Sequence, residues 1–115
     1  MDSKSKDFDP LLLESIDEAL LSLGELARKS VYFYLERNFK VVRSEVPMHL
    51  DYFQTGLEKI FGIGARFLEI LIMKNLYAKT GCKLTLKSGT QLEFTKYVEA
   101  ARQNFLDSCL VENEY

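Results

Sequence analysis

The sequence predicts an all-α domain, a compact bundle of about five helices around one helix, about residues 64–79, that is apolar on nearly every side. Three observations carry this expectation. Apolar residues recur at helical spacing in five stretches and alternate only briefly in one. Recognisable starts and stops flank those stretches. The connectors between them are short, which makes successive helices antiparallel neighbours. A chain of 115 residues fits one domain, and eight Phe and six Tyr can fill its core. With two Pro and six Gly, little disorder is expected away from the ends. The expected organisation is a flexible N-terminus over 1–8, a single helical domain over 9–110 and a flexible acidic tail over 111–115.

The first helix is expected to open at "DPLLLESIDEALLSL", with Asp9 as N-cap and Pro10 at the first helical position. Leu12, Ile16, Leu20 and Leu23 form its apolar stripe. Gly24 interrupts the pattern, and Ser22 with Glu25 has capping-box spacing. A second helix could restart there, or one long helix could tolerate the glycine at about 1 kcal/mol relative to Ala.

"ELARKSVYFYLERNF" reads as the second helix, with Leu26 or Ala27, Val31, Tyr34, Leu35 and Asn38/Phe39 inside. "KVVRSEVP" reads as a connector, because Pro47 forces its predecessor out of the α region. "HLDYFQTGLEKIF" is the third helix, on the spacing of Phe53, Leu57, Ile60 and Phe61. "GARFLEILIMKNLYAKTG" is the fourth, and between Phe67 and Met73 only Glu69 is polar. A helix apolar on nearly all sides belongs in the middle of a domain. Thr80-Gly81 stops it. "CKLTLKSGTQLEF" supplies a short extended piece or loop with a turn at Ser88-Gly89. Thr90 and Glu93 then have capping-box spacing ahead of a last helix striped by Phe94, Tyr97/Val98, Ala101 and Phe105/Leu106.

Net charge is −2, unevenly spread. Residues 1–27 carry two Lys against seven acids. Residues 28–43 carry five basic residues, Arg28, Lys29, Arg37, Lys40 and Arg43, against Glu36 alone. The overall balance argues against a dedicated nucleic-acid binder, while the basic block is a candidate docking face or simply a solvated helix side. Cys82 and Cys109 stand 27 positions apart, there is no C-x-x-C, and His49 is the one histidine, so a Cys/His metal site within one chain is not expected. The start "MDSKSKDFDP" has no apolar signal-peptide core, which predicts a cytoplasmic chain with free thiols. No run of 18 apolar residues predicts a membrane span.

Catalysis is not expected. A nucleophile needs a base and an orienting group, and His49 reads as a water-exposed residue at a helix start. Glu69 is the acid with the most apolar neighbours, and an i,i+3 ion pair with Arg66 is the expected role. No catalytic, cofactor or metal residue is assigned.

Gly62-Ile63-Gly64 invites two readings. Leu57, Ile60, Gly62, Ile63, Gly64 and Leu71 fall in the register of a helix-hairpin-helix, whose glycine turn offers backbone N–H groups to a DNA phosphate. Arg66 would assist there. Leu68 stands where that motif wants a small residue, and Phe61 replaces its frequent proline. Alternatively, Phe53, Leu57, Ile60, Gly64, Phe67 and Leu71 hold one phase across the glycines. That pattern fits a single long or gently kinked helix whose glycines let a neighbouring backbone come close.

The run "SLGELARKSVYFYLERNF", then "EVP", then "FQTGLEKIFGIGARFLEILIMKNLYAKTG" resembles a small archaeal domain, the Nitrosopumilus output domain family, over about residues 20–81. The resemblance implies a helical module that stands alone or is appended to signalling and regulatory modules, and it carries over no catalytic residue. The expected function is a non-enzymatic interaction or signalling-output module whose partner is a protein, a second copy of the chain included. DNA backbone binding through residues 57–71 is the alternative.

Overall fold

The computed structural model describes residues 3–81 and 93–113. Among these the chain is all-α: α1 (Ser3–Leu21), α2 (Glu25–Phe39), α3 (Leu50–Phe61), α4 (Ala65–Thr80) and α5 (Phe94–Asn113). The expected extended piece, the Ser88-Gly89 turn, the Thr90 cap and Cys82 all lie outside the described residues, as does the side chain of Cys109.

As expected, α4 lies at the centre. It packs along α1 and also touches α3 and α5. Ala65, Leu68, Ile72, Met73, Leu76 and Tyr77 form its buried face. Leu12, Ile16 and Leu20 of α1, Phe53 and Leu57 of α3, and Phe94, Val98 and Ala101 of α5 complete the core. Burying a large apolar side chain contributes about 1.5–3 kcal/mol relative to leaving it in water. This shared cluster is therefore what holds the helices together.

Polar contacts fix how the helices sit. Lys79 of α4 reaches Glu18 (2.9 Å) and Glu14 (3.4 Å) of α1. The Tyr77 hydroxyl donates to the Tyr97 carbonyl of α5 at 2.7 Å. Asp17 of α1 is a junction: it accepts from the Tyr32 hydroxyl of α2 at 2.6 Å and from Arg43 Nη2 at 2.6 Å. Burial and the Asp17 carboxylate both push the Tyr32 phenol well above its usual range.

The structure corrects the sequence reading in three places and decides between its alternatives in two, at Gly24 and at Gly62–Gly64. The first helix does not start at Asp9. Its backbone is helical from Ser3, with Pro10 inside, and Asp9 accepts a hydrogen bond from Arg102 of α5 at 2.9 Å rather than capping. Gly24 does break the chain, at φ 113°, a conformation that costs glycine little and other residues much. Residues Arg43–Met48 form a 3₁₀ turn with Val46 and Pro47 buried, so the connector itself enters the core. At the chain's end, α5 continues to Asn113, past Glu112. Finally, α3 and α4 are not one helix. Gly62 sits at φ 59°, ψ −127°, and a 3₁₀ turn over Gly62–Gly64 joins two separate helices.

That break explains why the phase argument failed. Phe67 is 73% exposed and Leu71 is half-buried, while Leu68 and Ile72 face the core. The stripe therefore jumps by one residue across the joint. Nor do the joint glycines admit a neighbouring helix. A Cβ on Gly62 would meet nothing within 4 Å, and one on Gly64 only its neighbour Phe61 at 3.7 Å. The close approach is made elsewhere, at buried Gly56 of α3, where a Cβ would stand 3.1 Å from Leu35 Cδ2 of α2.

Candidate functional site

Two surfaces gather the residues singled out from the sequence. The first is the outer face of α2. Val31 and Leu35 point into the core. Opposite them, Leu26, Lys29, Phe33 and Arg37 recur at i, i+3, i+7 and i+11, which puts all four on one side of the helix, and Lys40, just past its end, lines the same depression as Phe33 and Arg37. Leu26 is 78% and Phe33 63% exposed. The Arg37 guanidinium lies over the Phe33 ring, 5.9 Å from its centroid. Phe33, Glu36, Arg37, Lys40 and Val42 line this shallow depression.

The basic block thus divides. Arg28 pairs with Glu25 one turn away, and Arg43 is held by Asp17 through both Nη2 and Nε. Lys29, Arg37 and Lys40 form no ion pair among the described residues. Lys40 closes α2 in the left-handed conformation, φ 59°, with its N–H on the Glu36 carbonyl and the following Val41 N–H on the Leu35 carbonyl. Of the alternatives Leu26 or Ala27 for the inner face, Ala27 is the partly buried one and Leu26 is the most exposed apolar residue of the outer face. Its position in the outward period was legible, and its hydrophobicity pointed the other way.

The aromatic segments divide in the same manner. Tyr34, Phe39, Tyr52 and His49 form a ladder between α2 and the start of α3, with Phe39 stacked on Tyr52 at 4.5 Å and His49 on Tyr52 at 5.6 Å. His49, expected in water, is half-buried by this stacking. Phe53 is core, and Phe33 is the one aromatic of "VYFYL" left exposed.

The second surface is a half-open cleft of about 590 Å³ between α3 and α4, at their joint. Gln54 and Glu58 come from α3, Gly62 and Ile63 from the turn, and Arg66, Phe67 and Glu69 from α4. The candidate phosphate contacts Gly62, Gly64 and Arg66 thus lie at or beside the cleft, but their settings differ. The Gly62 N–H is already donated to the Glu58 carbonyl. Gly64 has ordinary helical angles, φ −63°, ψ −17°, as the N-cap of α4. Arg66 is exposed and forms no ion pair among the described residues.

Glu69 departs most from expectation. It is 5% exposed, and its partner is not Arg66 but Gln54, whose Nε2 donates to Oε2 at 3.2 Å. Burial raises the Glu69 carboxyl above the usual range; the Gln54 hydrogen bond pulls it back, Glu58 pushes it up, and Arg66 draws it down. The lining therefore carries two carboxylates against one guanidinium, a poor setting for an anion. Neither Gln54 nor the exposure of Ile63 and Phe67 was legible in the sequence, because all depend on where the chain turns.

Among the described residues, no group of three or more His, Cys, Asp or Glu is placed to hold a metal ion, and no helix is long and apolar enough to cross a membrane. No family model, curated protein or solved structure matches the chain.

Proposed function

We propose that this chain is a non-enzymatic interaction module that docks an acidic, apolar-bearing segment of a partner protein on the outer face of α2. The observation that carries the reading is the alignment of exposed Leu26 and Phe33 with Lys29 and Arg37, and with Lys40 just past the helix end, opposite a buried face that already satisfies the fold. Exposed aromatic and Arg side chains together form the usual anchors of a protein interface. Unpaired cations around them select acidic partners and speed their approach. The resemblance to archaeal output domains fits a module that passes a signal by contact in the cytoplasm rather than by chemistry.

The test is a fluorescence-anisotropy titration of the chain against an acidic amphipathic peptide, a basic counterpart and a single-stranded oligonucleotide. The reading expects saturable, salt-sensitive binding of the acidic peptide alone. Binding of the oligonucleotide in its place, or of neither, overturns it. Light scattering on the free chain decides whether a second copy already covers the face.

DNA backbone contact through residues 57–71 is the second reading, supported by the helix break at Gly62 and by unpaired Arg66. Against it stand the committed Gly62 amide and the two carboxylates beside it. It predicts affinity that falls steeply with salt, and a gel shift without retardation at low salt removes it.

A further inference from the structure

We infer that the cleft between α3 and α4 is a binding site for a primary ammonium group carried on an apolar body, with Glu69 as its counter-ion. The inference concerns a different face from α2 and does not rest on that surface being functional.

Glu69 is the most deeply placed charge-bearing group of the cleft. A carboxylate this buried ordinarily has a cation or several hydrogen bonds to offset its lost hydration. Here Oε2 accepts one hydrogen bond from a neutral amide, Gln54, and Oε1 has no protein partner among the described residues. Glu69 lines the cleft, and among the described residues no polar side-chain atom is both fully buried and unpartnered, so Oε1 is open to the cleft rather than sealed in the core. Glu58 adds a second negative charge to the same lining.

The mouth supplies the apolar half. Ile63 is 89% and Phe67 73% exposed, side by side on the joint and its following turn. An alkyl or aryl body resting on them would leave water, while its ammonium reached the carboxylates and the Phe67 ring face offered a cation–π contact. The volume lies within the range of small-ligand sites, about 300–1,000 Å³. An ammonium also suits the donor count, with three N–H groups to meet Glu69, Glu58 and the Gln54 carbonyl oxygen.

Arg66 is the internal competitor. It stands three residues before Glu69 on α4 and acts on it only through space. Its guanidinium belongs to the cleft lining, so its positive charge opposes a bound ammonium.

The test uses the ¹⁵N-labelled full chain and three probes of one shape: 2-phenylethylamine, 2-phenylethanol and 3-phenylpropionate. The amine is expected to shift the amides of Gln54, Gly62, Arg66 and Glu69 saturably. The alcohol should bind about tenfold more weakly, the equivalent of 1.4 kcal/mol, and the acid not at all. Glu69→Gln should reduce amine binding to the level of the alcohol. Glu58→Gln should reduce it less, and Arg66→Ala should tighten it. Equal binding of amine and alcohol would mean an apolar groove without a counter-ion and would overturn the inference. Preferred binding of the acid, or shifts outside the cleft, would overturn it too. A short peptide with one lysine, run beside the free amine, identifies the source: tighter peptide binding assigns the ammonium to a partner's lysine, tighter amine binding to a small molecule.

Discussion

Phe33 and Phe67 are the two phenylalanines that the bundle leaves largely in water among the described residues, and their settings are opposite. Phe33 stands on a continuous helix, with Arg37 over its ring, Lys29 on the same face and Lys40 just past the helix end. Phe67 stands just after a chain break, beside a cleft that holds Glu58 and a buried Glu69. The first surface is a basic helix face with a shallow depression and is made of side chains. The second is concave and acidic and depends on a backbone conformation that only glycine holds easily. The difference teaches where function and stability are separable. On α2 the outward side chains are exposed, so exchanging them is expected to change stability little. At the joint, the groups that shape the cleft also hold or strain the fold.

The largest expected effect tests that distinction at the joint. Gly62→Val forces a β-branched residue into φ 59°, ψ −127°, a strain of about 1–3 kcal/mol. Urea unfolding should show that loss. Gly64→Ala, at helical angles with only an ordinary contact to Phe61, should stay within about 0.5 kcal/mol of the parent. Equal costs at the two glycines would contradict the described break.

The second effect concerns which cations are free. Asp17→Ala removes the shared acceptor of Tyr32 and Arg43 and should cost about 1–3 kcal/mol. Arg37→Ala should leave thermal stability unchanged. If Arg37 proved as costly as Asp17, the α2 face would be structural.

The third is a pH effect. Burial raises the Glu69 carboxyl, so the folded state holds that proton more tightly than the unfolded state does. The stabilisation is full below the ordinary carboxyl value of about 4.3, and it is lost as pH rises through the raised folded value. At neutral pH the native chain carries the cost of a buried carboxylate, and Glu69→Gln does not. The variant should melt higher than the parent at pH 7, with the gap closing as the pH falls to about 4. A gap independent of pH would mean that Glu69 is satisfied as it stands.

The smallest expected effect separates the two properties in one residue. Lys40 holds φ 59° at the end of α2, a conformation that costs a non-glycine residue about 1 kcal/mol. Lys40→Gly should keep or raise stability while weakening binding of an acidic peptide.

Much of this fold is legible from hydrophobic period alone: Leu12, Ile16 and Leu20, Val31 and Leu35, and Phe53 and Leu57 all occupy the buried faces that their spacing assigns them. Period fails where the chain changes direction without changing composition. Residues 53–71 read as one phase because a three-residue turn shifts the stripe by a single position, and Phe67 and Leu68 are equally apolar. It fails again at Leu26, since hydrophobicity does not tell a core residue from an exposed anchor. Of the candidate sites, the basic block was legible as charge, but which cations were free depended on Asp17, 26 residues before Arg43 in sequence. Gln54 as the partner of Glu69 was invisible for the same reason: their hydrogen bond spans 15 residues across the break.

The central claim is that the α2 face is kept for contact rather than for folding, and one paired measurement on Phe33→Ser tests it. Anisotropy with an acidic amphipathic peptide and thermal melting are recorded on the same preparation. Affinity should fall by about tenfold or more, about 1.4 kcal/mol, with the melting temperature unchanged. A melting temperature lowered as for a core residue, or an affinity that does not move, would contradict it.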